Sequence, residues 1–444
     1  MEGGDFATLR DKLWAFMKEH IYPNEQLFHE QCQAIAKLPG DQWVYPAIVG
    51  ELQKVTKKQG LWNLWLPNDT AQVAGQGFSG GGLNNLQYAE LCEIMGTANH
   101  MEFASLTMNC ASPDTGNMET LARFGNEAQK AKWLKPLLDG EIRSCFAMTE
   151  PQVASSDASN ISIEIKKDEA NGRFVVNGMK TFITGAGAQE CKIAILMGKT
   201  DPTGPSFKQQ TMFLVPMDSP GITLVRPMQT LNDEEAPKGH MEILFENVVV
   251  PLDAVLGGEG RGFEIAQARL GPGRIHHCMR LIGTAERALS AMISRAESRT
   301  AFGKKLIEFD NIIQDIARSR SDIDMGRMLV RHTAMLLDQG GSKFCRKELS
   351  MCKAVVPKMV QEVCDRAMQV HGAHGVSQDF FLATAFTWAR WLRFADGPDD
   401  VHLRTVARLE IKEQQRDAAK ATLHGLKPYP HKGPVHRKNP PSKL

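Results

Sequence analysis

Apolar side chains step at helical intervals through the first part of the chain. Phe6, Leu9, Leu13 and Phe16 recur every three or four residues, and Trp133, Leu134 and Leu137 share one face of Asn126–Leu138. This spacing predicts a mostly helical domain over residues 1–140. The period then shortens. Phe174-Val175-Val176-Asn177-Gly178-Met179-Lys180-Thr181-Phe182 reads as strand, Asn-Gly turn, strand. Ile193–Met197, Thr211–Pro216, Ile222–Arg226 and His240–Phe245 are further strand-like runs punctuated by Pro and Gly, so 141–255 is expected to be an antiparallel β-domain. From Gly262 the helical period returns: Arg274–Arg299 and Gln314–Gln339 run long with few breakers, and 256–424 is expected to form a four-helix bundle. The expected fold class is therefore α+β multidomain. A tail over 425–444, rich in Pro, Lys and His, cannot build a core and is expected to be mobile.

One loop in the first domain, Gly75-Gln76-Gly77-Phe78-Ser79-Gly80-Gly81-Gly82, contains a formal G-x-G-x-x-G. That motif binds dinucleotides only between a strand and a helix of a βαβ unit, and Leu66-Pro67-Asn68-Asp69 ahead of it is no such strand. A flexible loop is the expectation.

Composition adds exclusions. The chain has 444 residues, length for two or three domains, with 42% hydrophobic and 23% charged residues, as in a globular enzyme. Lys plus Arg number 52 and Asp plus Glu 51, a balance that gives no argument for a nucleic-acid surface. The nine cysteines include no C-x-x-C pair and suggest buried thiols rather than a zinc site; no metal is expected. No apolar run reaches the roughly 18 residues of a membrane span. Met1-Glu2-Gly3-Gly4-Asp5 does not read as a signal peptide or an arginine-rich presequence, and neither is expected. The C-terminus reads Ser442-Lys443-Leu444, a peroxisomal address for an import receptor, with the mitochondrion as the alternative location.

Candidate chemistry lies in the β-domain. Cys145-Phe146-Ala147-Met148-Thr149-Glu150-Pro151, then Ser155-Ser156-Asp157, offers backbone N–H groups and hydroxyls with few bulky side chains. Lys180-Thr181-Phe182-Ile183-Thr184-Gly185 is a strand that puts Phe182 and Thr184 on one face. A flat redox-active ring needs such a hydrogen-bonding edge, aromatic wall and nearby hydroxyl. On residue types alone, two strands of an ordinary β-domain are the better account.

These segments resemble the flavin-contacting segments of the acyl-CoA dehydrogenase family. Leu121-Ala122-Arg123-Phe124-Gly125, Trp133 to Glu141, Met241 to Pro251, Arg299-Thr300-Ala301-Phe302-Gly303-Lys304 and Gln369-Val370-His371-Gly372-Ala373-His374-Gly375 are similar to further family motifs. Their order and spacing hold over residues ~5 to 424. The resemblance implies FAD. Met148 and Thr149 are expected at the ring's pyrimidine edge, Phe182 flanking it and Thr184 near N5. Arg299 and Phe302, with Gln369, Gly372 and Gly375, are expected at the ADP half of a neighbouring subunit's FAD. That sharing implies a homodimer or a dimer of dimers (a homotetramer). Without the motif around it, Arg299 would read as a helix-end charge bonding its own carbonyls.

The resemblance also implies α,β-dehydrogenation of a fatty acyl-CoA, in which a carboxylate base removes the α-proton. Asp396, in Phe394-Ala395-Asp396-Gly397-Pro398-Asp399-Asp400, occupies the base position, where the family more often has glutamate. Some members place the base on an earlier helix; the matching residue here is Gly273. Asp396 could instead cap the helix that follows. Ser156 corresponds to a CoA-contacting serine and Arg274 to an arginine beside the carboxylate. His276 and His277 are expected to be packed or surface residues rather than ligands. A branch with the same Ala-Asp-Gly-Pro-Asp stretch is associated with long-chain and 4-hydroxyacyl-CoA substrates, free or phosphorylated, and its longer members carry a kinase-like domain that this sequence is expected to lack. The electron acceptor is expected to be electron-transferring flavoprotein or oxygen. A CoA-ester-binding protein without dehydrogenase activity is the alternative from a different class.

Overall fold

Residues 3–75 and 78–416 are described in a computed structural model. The tail over 425–444, with Ser442-Lys443-Leu444, and Gln76 and Gly77 of the glycine-rich loop lie outside the described residues. The chain begins with helices α1 (Gly3–Phe16), α2 (Glu25–Ala36), α3 (Ala47–Gln59), α4 (Asn68–Ala74), α5 (Asn85–Met95), α6 (Phe103–Thr107) and α7 (Asp114–Phe124). Then α8 (Glu127–Gln129) and α9 (Lys135–Asp139) flank a π-helical turn over Lys130–Leu134. Leu13, Phe16, Leu134 and Leu137 are buried, as the helical period requires. Local signals fix the ends. Asn84 and Gln87 form a reciprocal capping box that starts α5, and Gly60 (φ 71°) ends α3 in the left-handed conformation.

The middle of the chain forms one sheet from β1 (Arg143–Ala147), β2 (Glu164–Asp168), β3 (Arg173–Thr184), β4 (Cys191–Lys199), β5 (Gln210–Pro216), β6 (Ile222–Pro227), β7 (His240–Pro251) and β8 (Val255–Leu256). The strand order is β6-β7-β3-β2-β4-β5-β8, with β1 beside β4. The sheet is antiparallel except that β1 and β2 run parallel to β4. Ile193–Met197 in β4 is buried at every position, so its unbroken apolar run is that of a strand covered on both faces.

Asn177-Gly178 is not a turn. β3 runs straight through it, and the register against β7 slips between Val176 and Gly178. The Asn177 side chain accepts a hydrogen bond from the Asn247 N–H at 2.7 Å. A Cβ at Gly178 (φ 141°) would lie 2.6 Å from Ile163 Cγ1. The pair is thus a bulge that only glycine can complete, and both halves find partners on the equally long β7.

The last part is α10 (Gly262–Ser298), α11 (Asp310–Phe344), α12 (Arg346–His371), α13 (Leu382–Trp391) and α14 (Asp399–Arg416), with a β9–β10 hairpin (Thr300–Ala301, Lys304–Lys305) after α10. α10 is also the seam to the first helices. A Cβ at Gly283 would lie 2.0 Å from the Glu93 carbonyl oxygen, and one at Gly96 would lie 1.9 Å from that of Arg280. Two backbones meet there with no side chain between them.

Candidate active site

Between α13 and α14 the chain turns through Leu392–Pro398, and Asp396 (φ 57°) and Gly397 (φ 110°) adopt positive φ in succession. Aspartate tolerates that region better than most residues, and Gly397 is required because a Cβ there would lie 2.9 Å from His402 Nε2. The Phe394 and Gly397 N–H groups close the turn on the Trp391 and Phe394 carbonyls at 2.8 and 3.1 Å. Arg274 Nε donates to the Asp396 carbonyl at 2.9 Å. The carboxylate is thereby aimed at α10. Its oxygens lie 3.5 Å from Arg269 Nη1 and 3.6 Å from His277 Nε2. A Cβ at Gly273 would approach Oδ2 to 3.2 Å, so the two base positions weighed from the sequence converge on one spot.

Among the described residues no N–H of α14 donates to the Asp396 carboxylate. The capping role therefore falls away. Asp399 and Asp400 occupy the first turn of α14, and Asp399 pairs with Arg393 at 2.7 Å. The surroundings of Asp396 are strongly basic. Arg269 and Arg274 are both driven below the usual arginine range by burial, against the opposing pull of Asp396. Burial also lowers Lys353, whose ammonium donates to the Leu392 carbonyl. His277 is pushed well below its usual value by burial and Arg280, and His402 down to about 4, chiefly by burial.

A second group of residues faces the same region from the sheet. The Arg269 guanidinium lies 4.4 Å from the centre of the Phe146 ring on β1, which leads into Met148 and Thr149. Phe182 (φ 54°) sits in a bulge of β3 and is 46% exposed, while Ile183 beside it is 1% exposed. Thr184 pairs across the strands with His240, and its Oγ1 lies 2.8 Å from His240 Nδ1. The Trp391 ring meets His240 edge-on at 5.3 Å, which ties the Asp396 turn to this strand.

The edge is held from beneath. Lys180 Nζ, fully buried, donates to the Met148 carbonyl (2.8 Å), Glu150 Oε1 (2.7 Å) and the Met197 carbonyl (2.7 Å). Glu150 also accepts from the Ser162 N–H and hydroxyl and the Ile163 N–H. Burial brings Lys180 down to about 8. Burial works against ionised Glu150 too, but Lys180 and Ser162 outweigh it and keep the carboxyl below its usual range. The Thr149 N-terminal edge, the half-exposed Phe182 wall and the Thr184 hydroxyl suit one planar ring with a hydrogen-bonding rim, so the residues present fit a flavin.

The other predicted residues lie further out. Ser156 is exposed, whereas Ser155 accepts from the Glu150 N–H at 2.9 Å and so belongs to the loop itself. Arg299 follows the end of α10 and is exposed, with no side-chain partner among the described residues, so it is not tied to its own helix end. Phe302 (φ 52°) is 97% exposed at the tip of the β9–β10 hairpin. Gln369 and Gly372 are exposed at the end of α12, and a Cβ at Gly375 would lie 2.8 Å from Met368 Cα. His276 packs against Tyr88, and His371 stacks on Phe380.

Arg269, Lys180, Glu150, His240 and Trp391 were given no role from the sequence, and His277 was expected only to be a packed or surface residue. A signal existed for two of them. Arg269, Gly273 and His277 are four residues apart, a single helical row of small or polar residues that passes the position matching the family's alternative base.

Three family models cover almost the whole described chain: the acyl-CoA dehydrogenase N-terminal domain (residues 5–141), middle domain (145–248) and C-terminal domain (260–410). Acyl-CoA dehydrogenase family member 10 of Mus musculus is 52% identical over 92% of this chain and 37% of its own length. FadE2 of Mycobacterium tuberculosis is 48% identical over 93% of this chain and 97% of its own. The chain thus spans half or less of its animal relatives but nearly all of the bacterial one. Butyryl-CoA dehydrogenase of Megasphaera elsdenii superposes with a TM-score of 0.75 at 26% identity, over 92% of this chain and 98% of that one. A Mycobacterium abscessus structure assigned to the acyl-CoA dehydrogenases reaches 0.85 at 43% identity, over 92% and 98% of the two chains. The chain belongs to the acyl-CoA dehydrogenase family, a family of FAD-dependent oxidoreductases.

Proposed function

We propose that this chain carries out α,β-dehydrogenation of a long-chain fatty acyl-CoA to the trans-2-enoyl-CoA, as a step of β-oxidation, with Asp396 as the base. The observation that carries this reading is the Asp396 carboxylate itself: held by a positive-φ turn, hydrogen-bonded to no helix end and facing Arg269, Gly273 and His277 of α10. FAD bound along Met148, Thr149, Phe182 and Thr184 would supply the hydride acceptor. The chain's own part is to position the acyl group, take the α-proton on an Asp396 oxygen and exclude water. Arg274 orients the Asp396 turn, and Ser156 meets the CoA moiety on the exposed loop. Anaerobic titration of the FAD-loaded protein with straight-chain acyl-CoAs tests the reading. Bleaching of the flavin absorbance by long-chain substrates is expected; no bleaching at any chain length would sink it in favour of a CoA-ester-binding protein.

A second substrate reading has its own support. Arg269 and Lys353, both buried, and Arg274, partly buried, place three cations around one carboxylate. That excess of positive charge favours a 4-hydroxyacyl-CoA, or its phosphorylated form, and the same titration with those thioesters separates the two.

The exposed Arg299 and Phe302 favour assembly as a homodimer or dimer of dimers in which they meet a neighbour's FAD; a monomeric mass in solution would refute it. Ser442-Lys443-Leu444 favours the peroxisome through its import receptor, and unaltered import of a chain lacking those residues would refute that. Electron-transferring flavoprotein or oxygen accepts the electrons; reoxidation kinetics in air, with and without the flavoprotein, distinguish them.

A further inference from the structure

The loop between β6 and β7 is backbone-strained. Leu231 (φ 50°), Asn232 (φ 70°) and Glu235 (φ 52°) all adopt positive φ without being glycine. Such conformations persist where surrounding contacts impose them and cluster at functional positions. Here they deliver one side chain. The Glu235 carboxylate, 6% exposed, lies 3.1 Å from His240 Nε2, and its other oxygen accepts from Thr230 Oγ1 at 2.5 Å. His240 in turn stands opposite Thr184 across β3 and β7, with Nδ1 2.8 Å from Thr184 Oγ1. The three side chains form a single file from a buried carboxylate to a half-buried hydroxyl. Trp391 packs edge-on against His240, and Lys238, a cation that acts on Glu235, is engaged by Glu102.

Donor and acceptor roles along this file follow from elementary chemistry. An ionised carboxylate can only accept, so His240 Nε2 carries the proton. Burial opposes the ionised form of Glu235, but the hydrogen bonds from His240 and Thr230 outweigh it and keep the carboxyl below its usual range. With the imidazole neutral, Nδ1 is a lone pair, and the Thr184 hydroxyl must donate to it. The Thr184 oxygen then presents lone pairs alone to whatever lies beyond it.

We propose that Glu235 and His240 are positioning residues that fix Thr184 as a hydrogen-bond acceptor toward the flavin, favouring the reduced ring, whose N5 bears a hydrogen, over the oxidised ring, whose N5 is itself an acceptor. This inference rests on the placement of Thr184 at the flavin put forward above. It assigns a direction of effect to two residues that touch neither substrate nor ring. A purely mechanical tie between strands would hold Thr184 in place equally well with its proton pointing either way, and would leave the flavin potential untouched.

The test uses the FAD-loaded protein at pH 8 and reads the two-electron midpoint potential, together with the nitrogen-15 shifts of His240. In Glu235→Gln, Thr230 keeps the amide oxygen and the amide NH2 is left facing Nε2. The tautomer reverses, Nδ1–H donates to Thr184, and the threonine proton is freed toward the ring. The reduced-to-oxidised ratio should fall about tenfold, a shift of about 30 mV to more negative potential. Loss of a negative charge by itself acts in the opposite direction, so the sign discriminates. In a Thr184→Val background the same substitution should lose its negative shift, the non-additivity expected of residues in one network.

A shift that is zero or positive with Thr184 present, or equal in both backgrounds, overturns the proposal. So does a His240 in the unmodified protein whose shifts show the proton on Nδ1, a measurement that needs no variant to fold. If Thr184→Val alone left both the flavin spectrum and the potential unchanged, the placement of Thr184 at the flavin would fail and the proposal with it. The His240 shifts would still show whether the file of protons exists, so the two failures remain distinguishable.

Discussion

Replacing Asp396 with asparagine separates chemistry from architecture. The carboxylate makes no hydrogen bond to a helix end and contributes chiefly through charge against Arg269 at 3.5 Å, with the neutral His277 ring 3.6 Å away. Two unit charges about 4 Å apart at an effective dielectric of about 20 attract by about 4 kcal/mol, which bounds what Arg269 can lose. Asparagine keeps an oxygen in place, so a stability loss between about 1 and 4 kcal/mol is expected, within the usual margin of about 5–15 kcal/mol. The proton-transfer loss is a different quantity. A positioned base is worth about 10²–10⁴ in rate. The variant should therefore fold, retain FAD and bind acyl-CoA, while flavin reduction followed anaerobically by stopped-flow absorbance slows by at least about a hundredfold. Asp396→Glu should recover part of the rate, because charge is restored on an arm one methylene too long for the space beside Gly273. If Asp396→Asn reduced its flavin at close to the wild-type rate, the assignment would be wrong, and Asp399 and Asp400 would be next to test.

Lys180→Met should strand Glu150 as a buried, unpaired carboxylate and orphan the Met148 and Met197 carbonyls. A loss of about 3–5 kcal/mol is expected, seen as a lower thermal midpoint together with poor FAD retention; normal FAD content would contradict the role given to Lys180 beneath the ring edge. Gly283→Ala should destabilise by at least about 1–3 kcal/mol, since its Cβ would meet the Glu93 carbonyl at 2.0 Å. Gly50→Ala, on the exposed side of α3 with open space around it, is the control and should be neutral or stabilising in the same melt. Stability should also fall in mild acid. Burial first, and Arg280 second, push His276 from its usual 6.5 down to about 3, so as pH drops below 6.5 the unfolded chain takes up a proton that the folded chain refuses. His402, lowered to about 4, acts with the same sign. Their joint contribution, on the order of a few kcal/mol, is complete above about pH 6.5 and is lost as pH falls toward 3–4. A His276→Gln variant whose melting temperature declined just as steeply over that range would argue against it.

Much of the fold was legible because long periodic segments announce themselves. Leu13, Phe16, Leu134 and Leu137 are buried where the 3.6-residue period puts them, and the apolar runs of β4, β5 and β7 are strands. Asn177-Gly178 misled because its residue types suit a hairpin turn, whereas long-range pairing with β7 makes it a bulge. A local signal cannot report a partner some seventy residues away. Asp396 was readable from its motif, but what surrounds it was not. Arg269 and His277 come from α10, more than a hundred residues earlier, and only folding brings the guanidinium and the imidazole to the turn. The same holds for Lys180 and Glu150, which the sequence shows as one lysine and one glutamate thirty residues apart.

The contact between Trp391 and His240 gives the molecule a gauge. Trp391 ends the helix ahead of the Asp396 turn, and His240 opens β7, paired across to Thr184 on β3. The distance between the Asp396 turn and Thr184 is thus decided not within either part but by how closely the two are pressed together. An enzyme built this way loses its aim before it loses its shape. Gentle warming or dilute denaturant that lets the sheet drift from the helices by less than the width of an atom would silence the chemistry while every strand and helix still stood.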